Sequence, residues 1–198
     1  MLTGNNILFH NHTDAGLRYS YPLIQYKRLN GKAAIVCVEE GTESIGEFFS
    51  NIRTVVNLGN QEIVLELDTV KAEKVLVQVW VGEFVYSLRK WLPLNQDNYE
   101  KFRQIEDLKS KCEFLEKVTI GNILSFAKGI NIHFEQEVKV DITSLEENGA
   151  MKYKNISFAS FDVMFKTNVS LPNYIGLGKG VSHGFGTVVC LNRDYNKI

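Results

Sequence analysis

The sequence has few of the features that mark secreted or membrane-spanning proteins. Its 198 residues include three cysteines, Cys37, Cys112 and Cys190, which lie far apart without a C-x-x-C pair. This spacing indicates neither a disulfide framework nor a zinc site, so we interpret the cysteines as core thiols. No apolar run is long enough to span a bilayer, and the first residues lack the basic segment of a secretory signal. We therefore expect a cytoplasmic protein without a membrane partner.

A surplus of positive charge is also missing. The chain carries 22 Lys and Arg against 23 Asp and Glu, which gives a formal net charge of −1 at pH 7. Nucleic-acid-binding proteins usually carry a basic surplus, so broad non-specific binding is disfavoured. A local basic groove is still compatible with this balance, because basic residues can be segregated onto one face. The hydrophobic share of 44% is sufficient for one large domain or two small ones.

Glycine is concentrated near the C-terminus, where five of the eleven residues from Gly176 to Gly186 are glycine. They form two Gly-apolar-Gly motifs separated by five residues, and the apolar run 187–191 that follows is typical of a buried strand. Glycine lets a loop approach another molecule closely, and free N–H groups of such a loop can bind a phosphate. A hairpin turn whose glycines take positive φ explains the pattern equally well.

Two common phosphate-binding motifs do not fit these glycines. A P-loop requires Gly-Lys-Ser/Thr at the start of a helix, whereas Gly178-Lys179 is followed by Gly180 and then a strand. A dinucleotide-binding fingerprint requires G-x-G-x-x-G, and neither Gly176 nor Gly184 begins that spacing.

The complete pattern, G-apolar-G, five residues and G-Phe-G before the last strand, resembles the signature loop of the CRISPR repeat-RNA endoribonucleases. These enzymes belong to the RAMP superfamily of RNA-binding ferredoxin-like proteins. The resemblance implies an α+β fold with two tandem ferredoxin-like (RRM-like) domains and a loop that binds RNA. The loop residues then expected to contact RNA are Gly176, Gly178, Lys179, Gly180, Ser182, His183, Gly184 and Gly186.

The order of predicted elements agrees with two such halves, which we place at residues 1–80 and 81–198. In the first half, Asn30-Gly31 predicts a hairpin turn, and a helix is predicted from Gly41-Thr42 to Leu58-Gly59. This half is expected to have a short or missing first helix and at most a stub of its first strand. In the second half we predict helices over 98–117 and 118–127, a strand over 130–142, a turn at Asn148-Gly149 and a long strand over 152–169. The glycine loop replaces the second helix.

Two of the four histidines, His10 and His12, lie two residues apart in a polar stretch. Positions i and i+2 of a strand face the same side, and two imidazoles suit acid–base chemistry near neutral pH. RNA supplies its own nucleophile, because the 2′-hydroxyl can attack the adjacent phosphate. Surface histidines on a turn are one alternative. Another is the His-x-His start of an amidohydrolase-like metal site, which needs more ligands and a barrel of ~250 residues.

One branch of the family is similar to this chain, since it carries paired histidines early in the first domain and a tyrosine a few residues later. By this resemblance, His10 and His12 are general acid and base, and Tyr19 assists them or orients the scissile phosphate. The reaction would need no metal or other cofactor. Arg18, Lys27 and Lys32 are expected to contact RNA and to stabilise the pentavalent phosphate. The chain departs from the branch by lacking a lysine upstream of the histidines.

The predicted protein is therefore an endoribonuclease that cleaves precursor CRISPR RNA within its repeats and leaves a 5′-hydroxyl and a 2′,3′-cyclic phosphate. Other CRISPR effector subunits and a second copy of the chain are expected further partners. Two alternatives stay open: a non-catalytic RNA-binding protein on the same fold, and a small metal-dependent hydrolase. The aromatic and basic segment 19–28 is expected to offer a surface for single-stranded RNA, with alternate members packed in the core.

Overall fold

The structure, a computed structural model, describes residues 12–13, 16–17, 21–50, 55–64 and 66–192. The strands described in the first part of the chain form three antiparallel pairs, β1 with β2, β3 with β4 and β5 with β6, and one helix lies between the second and third pairs. These elements are β1 (His12–Thr13), β2 (Gly16–Leu17), β3 (Ile24–Leu29), β4 (Lys32–Cys37), α1 (Glu40–Ser50), β5 (Val55–Leu58) and β6 (Gln61–Val64).

A four-stranded antiparallel sheet dominates the second part of the chain. Its elements are β7 (Val79–Trp91), α2 (Gln96–Arg103), α3 (Leu108–Gly129), β8 (Val140–Tyr153), β9 (Ile156–Val169), a 3₁₀ turn (Val181–His183) and β10 (Thr187–Cys190). The strands are arranged in the order β10-β7-β9-β8. This is the arrangement of a ferredoxin-like βαββαβ unit, with the glycine loop and its 3₁₀ turn in the place of the second helix.

The hairpin predicted at Asn30-Gly31 is confirmed. Both residues have positive φ, 50° and 83°, and they join β3 to β4 as a two-residue turn. The turn predicted at Asn148-Gly149 is wrong, because that dipeptide lies inside β8 at a register shift with Gly149 at φ 76°. Positive-φ glycine suits a β-bulge as well as a turn, and the β8–β9 turn is made by Lys154 and Asn155.

Three further predictions need correction, two of helices and one of a strand. The described part of the first helix ends at Ser50, and β5 pairs with β6 around Gly59 instead of continuing that helix. The boundary between the two later helices lies before Leu108, because the Asp107 side chain accepts a hydrogen bond from the Ser110 N–H and caps a new helix there. The strand predicted over 130–142 begins only at Val140.

The hydrophobic core lies between the four-stranded sheet and α3. It is formed by fully buried side chains from β7, β9, β10 and α3, namely Tyr86, Leu88, Trp91, Phe161, Phe165, Val188, Leu115, Ile123 and Phe126. Each such side chain stabilises the fold by about 1.5–3 kcal/mol through burial alone. Ile175, just before the glycine loop, and Leu177 within it are also buried in this core, so the loop is anchored at its beginning. No described helix has the length and hydropathy to cross a membrane.

Candidate nucleic-acid interface

The glycine loop folds back on itself between β9 and β10. Gly176 forms a β-bridge with Thr187, and the N–H of Leu177 donates to the carbonyl oxygen of Gly186 at 2.8 Å. The 3₁₀ turn lies between Gly180 and Gly184, which both take the left-handed conformation with φ of 69° and 91°. The loop is therefore a structured turn whose outer residues are 179–185.

The packing of the protein itself requires the glycines of this loop. A Cβ at Gly178 would lie 2.8 Å from the indole nitrogen of Trp91, and φ at Gly178 is 89°. A Cβ at Gly186 would overlap the carbonyl oxygen of Leu177, and φ there is also positive. These contacts explain the glycine spacing through the fold, and they do so without any bound molecule.

Most of the N–H groups expected to receive a phosphate are used within the protein. Those of Gly176, Lys179, Gly184 and Gly186 donate to oxygens of Gln25, Leu92, Val181 and Lys90, at distances between 2.9 and 3.3 Å. The backbone of the loop consequently offers less to an anion than its sequence suggests. Side chains on its outer residues have to supply most of any contact with RNA.

A hydrogen-bond network, formed by Tyr21, Gln25 and Gly176, joins the loop to the segment that leads into β3. The Tyr21 hydroxyl donates to the Gly176 carbonyl at 2.8 Å, and the Gly176 N–H donates to Gln25 Oε1 at 2.9 Å. Gln25 Nε2 in turn donates to the Tyr21 oxygen at 2.8 Å. Burial raises the pKa of Tyr21 well above its ordinary value, although both hydrogen bonds act in the opposite direction. Sequence reasoning missed this network, because Tyr21 and Gln25 belong to a segment interpreted as an RNA surface.

Lys27 lies beneath the 3₁₀ turn and not on the surface of the loop. Only 5% of it is exposed, and its Nζ donates to the Val181 carbonyl oxygen at 3.4 Å. Burial lowers the pKa of Lys27 to about 8. A cation at this place supports the turn from below, whereas contact with a phosphate would require the turn to move.

The remaining predicted RNA contacts are more accessible. Lys32 is exposed at the β3–β4 turn, and its Nζ lies 2.6 Å from a carboxylate oxygen of Asp68. Ser182 Oγ and His183 Nδ1 are hydrogen-bonded at 2.9 Å, and His183 is exposed. Lys179 Nζ lies 5.7 Å from the centre of the Phe158 ring. These side chains can be reached from solvent.

The predicted acid–base residues lie mostly outside the described residues. His10, Arg18 and Tyr19 fall there, and for His12 only the backbone is described, in β1 opposite Leu17. Their roles therefore stay predictions. Among the described residues, no group of three or more His, Cys, Asp or Glu side chains is arranged to hold a metal ion.

Comparisons with known families cover both halves of the chain. The model of the Cas6b N-terminal domain matches residues 1–75, and that of the Cas6b C-terminal domain matches residues 78–191. Uncharacterized protein MJ0978 of Methanocaldococcus jannaschii is 33% identical over 147 residues, which are 73% of this chain and 97% of the relative. These matches confirm the resemblance inferred from the glycine loop.

Solved structures show the same relationship. The fold is similar to a crystal structure of Cas6b, with a TM-score of 0.84 and 30% identity over 94% of this chain and 85% of the other. A crystal structure of the CRISPR RNA processing endoribonuclease Cas6b gives a TM-score of 0.68 and 31% identity, with 87% and 83% covered. Csf5, a type IV Cas6 crRNA endonuclease, gives a TM-score of 0.59 and 14% identity over 94% of this chain and 77% of the other. This similarity shows the fold alone. The expected fold class, two tandem ferredoxin-like domains, is thereby confirmed.

Proposed function

Because this chain belongs to the Cas6b family, we propose that it is an endoribonuclease that cleaves precursor CRISPR RNA within its repeats without a metal ion. The observation that carries this proposal is the pair of consecutive family matches, which together extend from residue 1 to residue 191. A similar solved structure, 31% identical over 87% of this chain, is described as a CRISPR RNA processing endoribonuclease. We propose two domains. The boundary between residues 80 and 81 expected from the sequence would divide β7, so we propose that the junction lies just before Val79.

In the proposed reaction, His10 and His12 share the two proton transfers. One imidazole removes the proton of the 2′-hydroxyl, whose oxygen attacks the adjacent phosphorus. The bond from phosphorus to the 5′-oxygen then breaks, and the other imidazole protonates that oxygen as it leaves. The products are a 2′,3′-cyclic phosphate and a 5′-hydroxyl. Tyr19 orients the phosphate, and the positive charge of Arg18 and Lys32 stabilises the extra negative charge of the transition state.

The proposed role of the glycine loop is to hold the RNA next to the first half of the chain. Lys179, Ser182 and His183 are the loop side chains expected to contact it, and the glycines allow the backbone to turn tightly enough to present them. The hydrogen bonds that Gly176 accepts from Tyr21 and donates to Gln25 support this role, because they fix the loop to the segment that follows the predicted histidines. Lys27 supports the same turn from its buried side.

A CRISPR RNA processing enzyme meets its substrate where the transcript is made, so we propose the cytoplasm as its site of action. Other CRISPR effector subunits and a second copy of the chain are the proposed protein partners. These proposals follow from the family and not from a described contact between chains.

The test is cleavage of the repeat RNA that is encoded next to the gene, in an excess of chelator. We expect cleavage to continue, with a 2′,3′-cyclic phosphate on the upstream product and no cleavage when the nucleotide before the cut is 2′-deoxy. Cleavage that stops with chelator would favour a metal-dependent hydrolase. Tight binding without cleavage would favour an RNA-binding protein that does not catalyse the reaction.

A further inference from the structure

A group of aromatic rings lies where the tip of the β8–β9 hairpin meets the glycine loop. The ring of Tyr153 lies 5.4 Å from that of His183 and 5.7 Å from that of Phe185, both at interplanar angles of 64°. The ring of Phe158, on the neighbouring strand of the hairpin, lies 6.3 Å from that of Tyr153. These four residues are called the aromatic cluster below. His183 is exposed and the other three are only partly buried, so solvent reaches the cluster.

The strand register explains why these rings share one face. Tyr153 is opposite Ile156, and Met151 is opposite Phe158, so all four side chains project from the same side of the two-stranded hairpin. Lys152 and Ser157 form the next pair and project from the opposite side. The face with the rings continues onto the outer residues of the glycine loop through Phe185 and His183.

Each of two rings in the cluster is accompanied by a lysine. Lys154 Nζ lies 5.6 Å from the centre of the Tyr153 ring, and Lys179 Nζ lies 5.7 Å from the centre of the Phe158 ring. Neither lysine forms an ion pair with a carboxylate in the described part of the chain. Both ammonium groups therefore rest on aromatic rings, an interaction that a phosphate can replace with a stronger one.

We propose that the aromatic cluster and its two lysines bind two neighbouring unpaired nucleotides of the RNA. The bases stack on Tyr153 and Phe158, and the ammonium groups of Lys154 and Lys179 leave the rings to bind the flanking phosphates. This combination of rings and positive charges is what single-stranded nucleic acids require, whereas the faces of bases in a duplex are already covered. The inference rests on the proposed function, because it takes RNA as the ligand.

The charge balance of the whole protein favours a local site of this kind. With a net charge of −1, the chain as a whole does not attract a polyanion. Affinity must then come from places where cations are concentrated and acids are absent. The two lysines form no ion pair with a carboxylate among the described residues, and they lie next to rings that add stacking energy independent of base sequence.

The test measures the dissociation constant of the full chain for repeat RNA that carries a 2′-deoxy nucleotide at the cut site. We expect Tyr153→Leu to weaken binding roughly 5- to 150-fold, the effect of one lost base–aromatic stack, and Tyr153→Phe to bind normally. The matched control is Tyr99→Leu, because Tyr99 is 37% exposed and has Arg103 over its ring at 5.9 Å, on α2. That control should bind like the unchanged chain.

Two outcomes would overturn the inference: unchanged affinity in Tyr153→Leu, or an equal loss in Tyr153→Phe, which keeps the ring. If Tyr153→Leu fails to fold, the double substitution Lys154→Ala with Lys179→Ala decides. It should reduce the slope of log K against log[salt] by the equivalent of about two phosphate contacts. An unchanged slope would refute the site. Cleavage of unmodified RNA by the unchanged chain is measured separately. A lack of cleavage would reject the proposed function, and the binding result could still be interpreted.

Discussion

The Tyr21 hydroxyl and the Gly176 carbonyl oxygen are 2.8 Å apart, although 155 positions separate them in the sequence. Gln25 Oε1 accepts a hydrogen bond from the N–H of the same glycine. Both backbone polar groups of Gly176 are therefore bonded to side chains from β3 or from the residues just before it. The Tyr21 ring also packs edge-on against Phe126 of α3, with centroids 5.0 Å apart. One tyrosine thus joins the first part of the chain, the core helix of the second part and the glycine loop.

Tyr21→Phe keeps this ring packing and removes one hydroxyl. The Gly176 carbonyl and the Gln25 amide then each lose a partner in a buried place, which costs about 1–3 kcal/mol of the free energy of unfolding. Urea denaturation measures this difference. Tyr26→Phe is the matched control, because Tyr26 is 45% exposed and its hydroxyl bonds to nothing in the described residues. Equal stability of the two variants would contradict the structural role of Tyr21.

Gly178→Ala tests whether packing or only backbone conformation requires glycine in the loop. Gly178 and Gly31 have similar φ, 89° and 83°, but a Cβ at Gly31 meets nothing within 4 Å, whereas one at Gly178 meets Trp91. Both variants lose about 1–2 kcal/mol through left-handed strain. Gly178→Ala should lose about 1–3 kcal/mol more, because the added carbon overpacks the site. The measurement is again the free energy of unfolding, and an equal loss at both positions would rule out the packing argument.

Lys27 makes stability depend on pH in the alkaline range. Its pKa in the folded protein is about 8, below the ordinary 10.5, so the unfolded chain binds more protons between these two values. The contribution of Lys27 to stability should therefore rise with pH from about 8 to about 10.5, on the order of 3 kcal/mol in total. Below that window the penalty for burying the charge is fully present.

Lys27→Met should flatten this rise and stabilise the protein near neutral pH. The free energy of unfolding, measured at several pH values, separates this variant from Lys32→Met, whose side chain is exposed and paired with Asp68. If the unchanged chain and Lys27→Met show the same pH dependence, then Lys27 does not titrate as its burial requires.

Local patterns predicted those parts of the fold that depend on neighbouring residues. Asn30-Gly31 predicted its hairpin because both residues tolerate positive φ. The same reasoning gave a wrong turn at Asn148-Gly149, where the positive φ of Gly149 serves a bulge and β8 continues to Tyr153. The apolar positions after Ser50 fitted a helix, but Val55 and Val56 pair with β6 instead, because β-branched residues before a glycine also suit a hairpin.

The candidate site was predictable only in part. The glycine pattern located the loop, and the family matches agree with it. The hydrogen bonds between Gly176 and the side chains of Tyr21 and Gln25 leave no signal in the local sequence, because the partners are more than 150 residues apart. The contact between the rings of Tyr153 and His183 also leaves no local signal. It depends on the register of the β8–β9 hairpin, which places that tyrosine at the tip.

The last prediction concerns His10 and His12. If they are acid and base, the rate of RNA cleavage should follow a bell-shaped pH profile, since one imidazole must be neutral while the other is protonated. His10→Ala and His12→Ala should each lower the rate by about 10²–10⁴ and remove one limb of the bell. Affinity for 2′-deoxy repeat RNA should hardly change, because binding depends on other residues. His133→Ala, at an exposed position between α3 and β8, is the control and should cleave normally. Cleavage that survives both substitutions would show that neither histidine is needed for proton transfer and that the reaction uses other groups.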